Sequence, residues 1–114
     1  MAIFVAERGT AVIGYVYAGV EPQSWKELRD VAGFVHDVVV DREARGSGVG
    51  TRLIETAASW LATRGVARVM LWTADKNEEA QRLFEHLGFR RTMIEMTREC
   101  PIGTPDERRE ERDF

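Results

Sequence analysis

The stretch of sequence that decides the fold covers residues 38–50 and reads VVVDREARGSGVG. An apolar run leads into a turn with three alternate glycines, and an amphipathic segment begins directly after the turn. Glycine adopts backbone angles that other residues avoid, and the first amides of a helix have no intrahelical acceptor. Together with the helix dipole and the guanidinium of Arg45, such amides favour a phosphate or another anion. The pattern therefore predicts an anion-binding turn between a strand and a helix.

Two familiar nucleotide-binding motifs do not fit this turn. No Gly-Lys-Ser/Thr follows the glycines, which excludes a P-loop. Thr51 stands where a dinucleotide-binding fingerprint starting at Gly46 would need its third glycine. The turn alone leaves two interpretations open, an anion site and a purely structural connection, and Arg45 alone is compatible with a surface ion pair.

Length and composition indicate one globular domain. The 114 residues are 44% hydrophobic and 31% charged, which is the balance of a chain that folds in water. The net charge of -3 gives no general attraction to nucleic acid or to an anionic membrane, and we expect neither as a partner. Cys100 is the only cysteine and no metal-binding pattern is present, so we expect no metal and a cytoplasmic location. No targeting or membrane-spanning segment is predicted.

Apolar periodicity predicts alternating strands and helices over most of the chain. We expect one domain over residues 1–100 and a charged tail over 101–114. A polar segment at 22–29 is a loop or one helical turn that carries Trp25, a possible wall of a substrate site. Strands are predicted over 3–7, 11–20, 31–41, 66–72 and 89–99, and helices over 49–64 and from an Asn77 cap to Leu87. The order is β-β-β-α-β-α-β, an α/β class with a mixed sheet.

Two motifs in this order are similar to those of the GNAT superfamily of N-acyltransferases. The stretch 38–50 resembles the acyl-CoA signature of that family. The family's second motif is matched by Asn77, Ala80, Leu83 and the sequence EHLGF at 85–89. The resemblance runs from about residue 3 to residue 99. It implies a GNAT-like acyl-CoA N-acyltransferase fold in truncated form, because family domains begin with a further strand and one or two helices that this chain is expected to lack.

The resemblance also implies a site for acetyl-CoA as co-substrate. In the family, the backbone of the strand before the turn pairs with the pantetheine arm, and the turn amides hold the pyrophosphate. Positions at the second motif contact the far end of the pantetheine and the thiol. Carried over, the cofactor-binding residues are Val38, Val39, Val40, Arg45, Gly46, Ser47, Gly48, Val49, Gly50, Thr51, Asn77 and Phe84. A backbone amide near Val39 would polarise the thioester carbonyl.

The resemblance implies direct transfer of an acetyl group to a primary amine of a small molecule, peptide or protein. His36 and Asp37 are the catalytic candidates, since relatives often place a glutamate in this strand. We favour His36 as the base, although a satisfied strand histidine is the simpler interpretation. Alternation along a strand predicts His36 on the face of Phe34 and Val38, with Asp37 on the other face, unless a bulge intervenes. Phe84 stands where many members carry a tyrosine that protonates the leaving thiolate.

A second function stays open, a non-catalytic module that binds acyl-CoA or another protein. Phe84 and the expected loss of the N-terminal elements favour it, because both weaken the acceptor half of the site. The same loss would leave an apolar sheet edge unprotected, and we expect a homodimer to cover it.

Overall fold

The computed structural model describes residues 1–23 and 30–101. Trp25 and nearly all of the charged tail lie outside these described residues, so the predictions for them stay predictions. A short 3-10 helix, Arg42–Ala44, precedes the glycine turn. The remaining elements are β1 (Ala2–Arg8), β2 (Ala11–Glu21), β3 (Ala32–Val40), α1 (Val49–Thr63), β4 (Val69–Leu71) and α2 (Glu78–His86).

The four strands form one mixed sheet in the order β1-β2-β3-β4. β1, β2 and β3 are antiparallel neighbours, and Gly9 adopts a φ of 63° in the tight connection between β1 and β2. β3 and β4 are parallel, and α1 connects them. Their pairing covers only three residues of each strand, from Gly33 opposite Val69 to Val35 opposite Leu71. Beyond Val35, β3 has no strand on its β4 side within the described residues, and a cleft opens there.

The core lies between the sheet and one face of α1. Apolar side chains of α1 recur at helical spacing and pack on the inward-facing residues of β2 and β3; the buried cluster is Val16, Ala18, Val35, Leu53, Ala57 and Leu61. Full burial of one such leucine contributes roughly 1.5–3 kcal/mol. This packing fixes the start of α1 against the end of β3. We call the sheet face that α1 covers the inner face and the opposite face the outer face.

The mixed α/β class and the element order through α2 are confirmed, whereas the strand predicted over 89–99 is wrong. Residues 90–100 contain no regular structure and are all exposed, and the exposed fractions of Met93, Ile94 and Met96 range from 59% to 87%. A strand requires a neighbour to accept its backbone hydrogen bonds. β4, the last strand of the sheet, is only three residues long and pairs with β3 alone among the described strands. The predicted strand therefore has too short a neighbour to form a ladder.

Candidate active site

The glycine turn has the geometry that its sequence predicts. Gly46 and Gly48 adopt φ angles of 82° and 86°, in the left-handed region that other residues rarely enter. A Cβ atom added at either residue would meet nothing within 4 Å, so the requirement for glycine comes from the backbone angle and not from crowding. Gly48 is the N-cap of α1 and supplies no side-chain hydrogen bond. The first amides of α1 are therefore left without a side-chain cap, as an anion site requires.

Arg45 is anchored beside these amides. Its Nε donates a hydrogen bond of 3.1 Å to the backbone carbonyl of Val40, which ties the guanidinium to the end of β3. The Ser47 hydroxyl donates to the carbonyl of Ala44 and tightens the same turn. No carboxylate among the described residues lies within ion-pair distance of Arg45, so the alternative of a surface ion pair finds no support there. The exposed guanidinium keeps donors available for an anion.

The turn lies near the cleft between β3 and β4. A Cβ atom at Gly50 would lie 3.7 Å from both Val40 and Leu83, which shows that the turn, the end of β3 and α2 meet at one point. Side chains from β3, from β4 and the loop after it, and from α2 line the cleft: Val35, His36, Asp37, Val38, Leu71, Trp72, Thr73, Ala74, Asn77, Ala80 and Phe84. The structure thus brings together five of the candidate site residues, namely His36, Asp37, Val38, Asn77 and Phe84.

The α2 residues in the cleft have clear local roles. The Asn77 side-chain oxygen accepts a hydrogen bond of 3.1 Å from the amide of Ala80, so Asn77 caps α2 as predicted. Phe84 is 92% buried and packs edge-on against Phe89, with the ring centroids 6.0 Å apart. Phe84 lines the cleft without a hydroxyl group, and its role toward a cofactor stays a prediction.

A β-bulge changes the prediction for His36 and Asp37. Tyr17 pairs with Asp37 and the next residue, Ala18, pairs with Val35, so His36 is an extra residue in β3. Val38 packs against the core on the inner face, whereas the His36 ring stacks on Phe34, with centroids 5.0 Å apart. The predicted separation of His36 and Asp37 onto opposite faces is wrong, because the bulge places both side chains on the outer face.

Two residues of β2 hold these side chains, and neither was singled out from the sequence. The Tyr15 hydroxyl donates a hydrogen bond of 2.8 Å to Oδ2 of Asp37. This hydrogen bond, together with desolvation and the charge of Asp37, raises the pKa of Tyr15 above its ordinary value of 10.0. Glu21 Oε1 lies 2.6 Å from Nε2 of His36, and both side chains are half-buried. The period-2 pattern of β2 could have placed Tyr15 and Glu21 on one face, but only the pairing register shows their partners.

Within residues 1–23 and 30–101, no group of three or more histidine, cysteine or acidic side chains is placed to hold a metal ion. In the same part of the chain, no helix combines the length and the apolar character needed to cross a bilayer.

The sequence profile of the Acetyltransferase (GNAT) family matches residues 1–89, and the chain belongs to this family. It is 36% identical over 93 residues to the mycothiol acetyltransferase of Thermobispora bispora, a match that covers 82% of this chain and 31% of that protein. It is also 36% identical over 86 residues to an uncharacterized N-acetyltransferase of Methanocaldococcus jannaschii, over 75% of this chain and 38% of the relative.

Solved structures show the same fold. A Pyrococcus furiosus protein assigned as an acetyl transferase superposes with a TM-score of 0.74 and 26% identity, over 88% of this chain and 64% of that chain. An aminoglycoside N-acetyltransferase in complex with CoA superposes with a TM-score of 0.73 and 22% identity, over 86% and 75% of the two chains, and this likeness supports the fold alone. The chain spans about a third of the length of the curated relatives it matches.

Proposed function

We propose that this protein is an N-acetyltransferase that transfers an acetyl group from acetyl-CoA directly to a primary amine of a small molecule, peptide or protein. The observation that carries the proposal is the proximity of the turn to the cleft. The uncapped amides at the start of α1 lie next to Val40 and Leu83, and the nearby residues Val38 and Phe84 line the cleft between β3 and β4. One elongated ligand with a phosphate at one end fits this arrangement.

The residues of the turn and the cleft fit acetyl-CoA, which supplies the acetyl group as a thioester. The amides of residues 46–51 and the Arg45 guanidinium would hold the pyrophosphate. The backbone of residues 38–40, which has no strand on its β4 side, would pair with the pantetheine arm as an added strand. Asn77 and Phe84 line the cleft farther from the turn and would contact the thiol end. The relatives named above as acetyltransferases support this assignment.

The outer-face residues at the bulge, His36 and Asp37, would assist attack of the acceptor amine on the thioester. The amine nitrogen forms a bond to the acetyl carbon, the carbon–sulfur bond breaks, and the sulfur leaves with the electron pair. His36 takes the proton that the ammonium loses, with Asp37 as the alternative base, since both side chains line the cleft. A backbone amide near Val39, on the cleft side of β3, polarises the carbonyl. Phe84 has no proton to give, and the pKa of thiols, about 8.5, allows the sulfur to leave as a thiolate.

Turnover and binding separate this function from a non-catalytic acyl-CoA-binding module. Phe84 is the observation that favours the module. We expect release of free thiol from acetyl-CoA in the presence of a panel of amines, above the rate of hydrolysis without amine. Stabilisation by acetyl-CoA without any amine-dependent thiol release would contradict the enzyme and favour the module. Absence of both signals would contradict the two functions together.

A homodimer and a cytoplasmic location complete the proposal. β1 pairs only with β2 among the described strands, so its outer edge presents unpaired backbone groups that a second copy could bind. Edge-to-edge pairing of β1 would leave both sheet faces accessible. Light scattering should give twice the mass of the 12.9 kDa chain at micromolar concentration, and a stable monomer would contradict the dimer. Cys100 as the only cysteine supports the reducing cytoplasm.

A further inference from the structure

An apolar hollow on the outer face adjoins the cleft. We call it the outer hollow, and its lining consists of Ile3, Val5, Val12, Tyr15, Tyr17 and Asp37. The three aliphatic residues are 52–61% exposed, whereas Val16 and Ala18 on the inner face of β2 are buried. Exposed apolar surface of this kind commonly marks a binding site. Asp37 also lines the cleft, so one carboxylate joins the outer hollow to the place where the thioester would lie.

The charge of the outer hollow matches one kind of ligand. Asp37 is the only acidic or basic residue in the lining apart from the two phenols, and apolar or phenolic side chains provide the rest of the surface. An ammonium group would meet Asp37, while the remainder of the molecule would need apolar atoms to replace water on the aliphatic side chains. Amino sugars and aminoglycosides carry many hydroxyl or ammonium groups, and this lining offers few partners for them.

We propose that the acceptor is a primary amine on an aromatic or alkyl body, which lies in the outer hollow with its ammonium at Asp37. This inference rests on the proposed function and names the acceptor class for the same site. The body contacts Ile3, Val5 and the two tyrosine rings, and the nitrogen reaches the cleft beside His36. The class differs from the acceptors that the names of the mycothiol and aminoglycoside acetyltransferases indicate for those proteins.

Tyr15 orients Asp37 for binding of the ammonium group. Its hydroxyl donates to Oδ2 of Asp37 and so fixes the orientation of the carboxylate at the rim of the cleft. Because the pKa of Tyr15 is raised, the phenol stays a donor throughout the neutral pH range. His36 and its partner Glu21 also lie on the outer face, with Glu21 Oε1 2.6 Å from Nε2 of His36. Asp37 is the carboxylate that lines both the outer hollow and the cleft, and it would attract a cation there.

Direct binding tests the inference without requiring turnover. Amide resonances of the full chain are recorded by NMR during titration with 2-phenylethylamine, 2-phenylethanol, ethylamine, glucosamine and kanamycin. We expect 2-phenylethylamine to bind at least tenfold more tightly than each of the others and to shift Val5, Val12 and Tyr15. 2-Phenylethanol lacks the ammonium group that would contact Asp37. Ethylamine lacks the phenyl ring that would contact the apolar side chains of the outer hollow. Tighter binding of glucosamine or kanamycin, or equal binding of all five, would overturn the inference.

A matched pair of variants tests the carboxylate. Asp37→Asn should weaken 2-phenylethylamine binding by about tenfold or more, the loss expected for one charge-assisted hydrogen bond of about 1.5–3 kcal/mol. Asp30→Asn removes the same charge from an exposed position outside the outer hollow and should leave binding unchanged. Equal binding by both variants would overturn the role of Asp37. If Asp37→Asn does not fold, the comparison of 2-phenylethylamine with 2-phenylethanol on the unaltered protein still decides the question.

The outcomes for the acceptor class and for the proposed function are separable. Stabilisation by acetyl-CoA with acetylation of glucosamine alone would keep the function and overturn this inference. Binding of 2-phenylethylamine in the outer hollow without amine-dependent thiol release would keep the site and contradict the function. Outer-hollow resonances that shift with protein concentration and not with amine would show that a second copy occupies the surface, and would overturn the inference.

Discussion

Alanine substitution of two neighbouring glycines should have opposite effects on stability. Gly48 adopts a φ of 86° at the N-cap of α1, whereas Gly50 is the second residue of the helix and lies outside the left-handed region. An L-residue in the left-handed conformation costs roughly 1–2 kcal/mol. Alanine in place of glycine inside a helix gains up to about 1 kcal/mol. The turn geometry therefore predicts a loss for Gly48→Ala and a small gain for Gly50→Ala.

Backbone conformation, and not steric contact, determines the stability change expected at both glycines. A Cβ atom at residue 48 would meet nothing within 4 Å, and one at residue 50 would make ordinary contacts of 3.7 Å with Val40 and Leu83. Steric clashes therefore add nothing to either substitution. For a domain of this size, a change of 1 kcal/mol shifts Tm by about 4 °C. We expect Gly48→Ala to lower Tm by about 4–8 °C and Gly50→Ala to leave Tm unchanged or to raise it by up to about 4 °C.

Thermal unfolding followed by far-UV circular dichroism, with urea unfolding as a second measure, checks both values. Gly46→Ala is a further test, because Gly46 has a φ of 82° and the same open space around its Cβ position. It should behave as Gly48→Ala does. A Gly48→Ala protein as stable as the original, or a Gly50→Ala protein less stable than Gly48→Ala, would refute the described turn.

Three further substitutions test other parts of the account. Arg45→Ala should lower the affinity for CoA about tenfold or more in isothermal calorimetry, because it removes a charge-assisted hydrogen bond of about 1.5–3 kcal/mol. The control variant Arg68→Ala should keep the original affinity. Equal affinity of the two variants would contradict an anion role for Arg45. Asn77→Ala should lower the free energy of unfolding by about 1 kcal/mol through loss of the α2 cap, and an unchanged urea midpoint would contradict the cap. The raised pKa of Tyr15 stabilises the fold below pH 10.0, and this contribution is lost as pH rises through the folded-state pKa. Tyr15→Phe should therefore destabilise the protein at pH 8, with the difference shrinking above pH 10; a difference that does not change with pH would contradict the Tyr15–Asp37 hydrogen bond.

The sequence predicted those features whose signals are local. The positive φ angles of Gly46 and Gly48, the start of α1 and the Asn77 cap each follow from residue types within a few positions. The first three strands agree with their predicted bounds within one residue or two, because their apolar patterns are long.

The errors concern features that depend on a distant neighbour. The bulge at His36 arises from the register between β2 and β3, and no residue within β3 marks it. The roles of Glu21 and Tyr15 were not predicted for the same reason. Each contacts its partner, His36 or Asp37, only across the pairing of β2 with β3. The strand predicted over 89–99 carries suitable apolar residues, but β4 offers only a three-residue edge. Local sequence cannot show how long a neighbouring edge will be.

The binding of acetyl-CoA tests the central claim most directly. The claim is that the glycine turn and the cleft form one site for this co-substrate. Differential scanning fluorimetry of the full chain with acetyl-CoA from micromolar to millimolar concentration is the measurement, and adenosine without phosphate groups is the control ligand. A ligand at 100 times its dissociation constant stabilises the folded state by about 2.7 kcal/mol, which corresponds to a rise in Tm of about 11 °C at about 4 °C per kcal/mol. The account predicts this rise with acetyl-CoA and none with adenosine. An unchanged Tm at millimolar acetyl-CoA would contradict it.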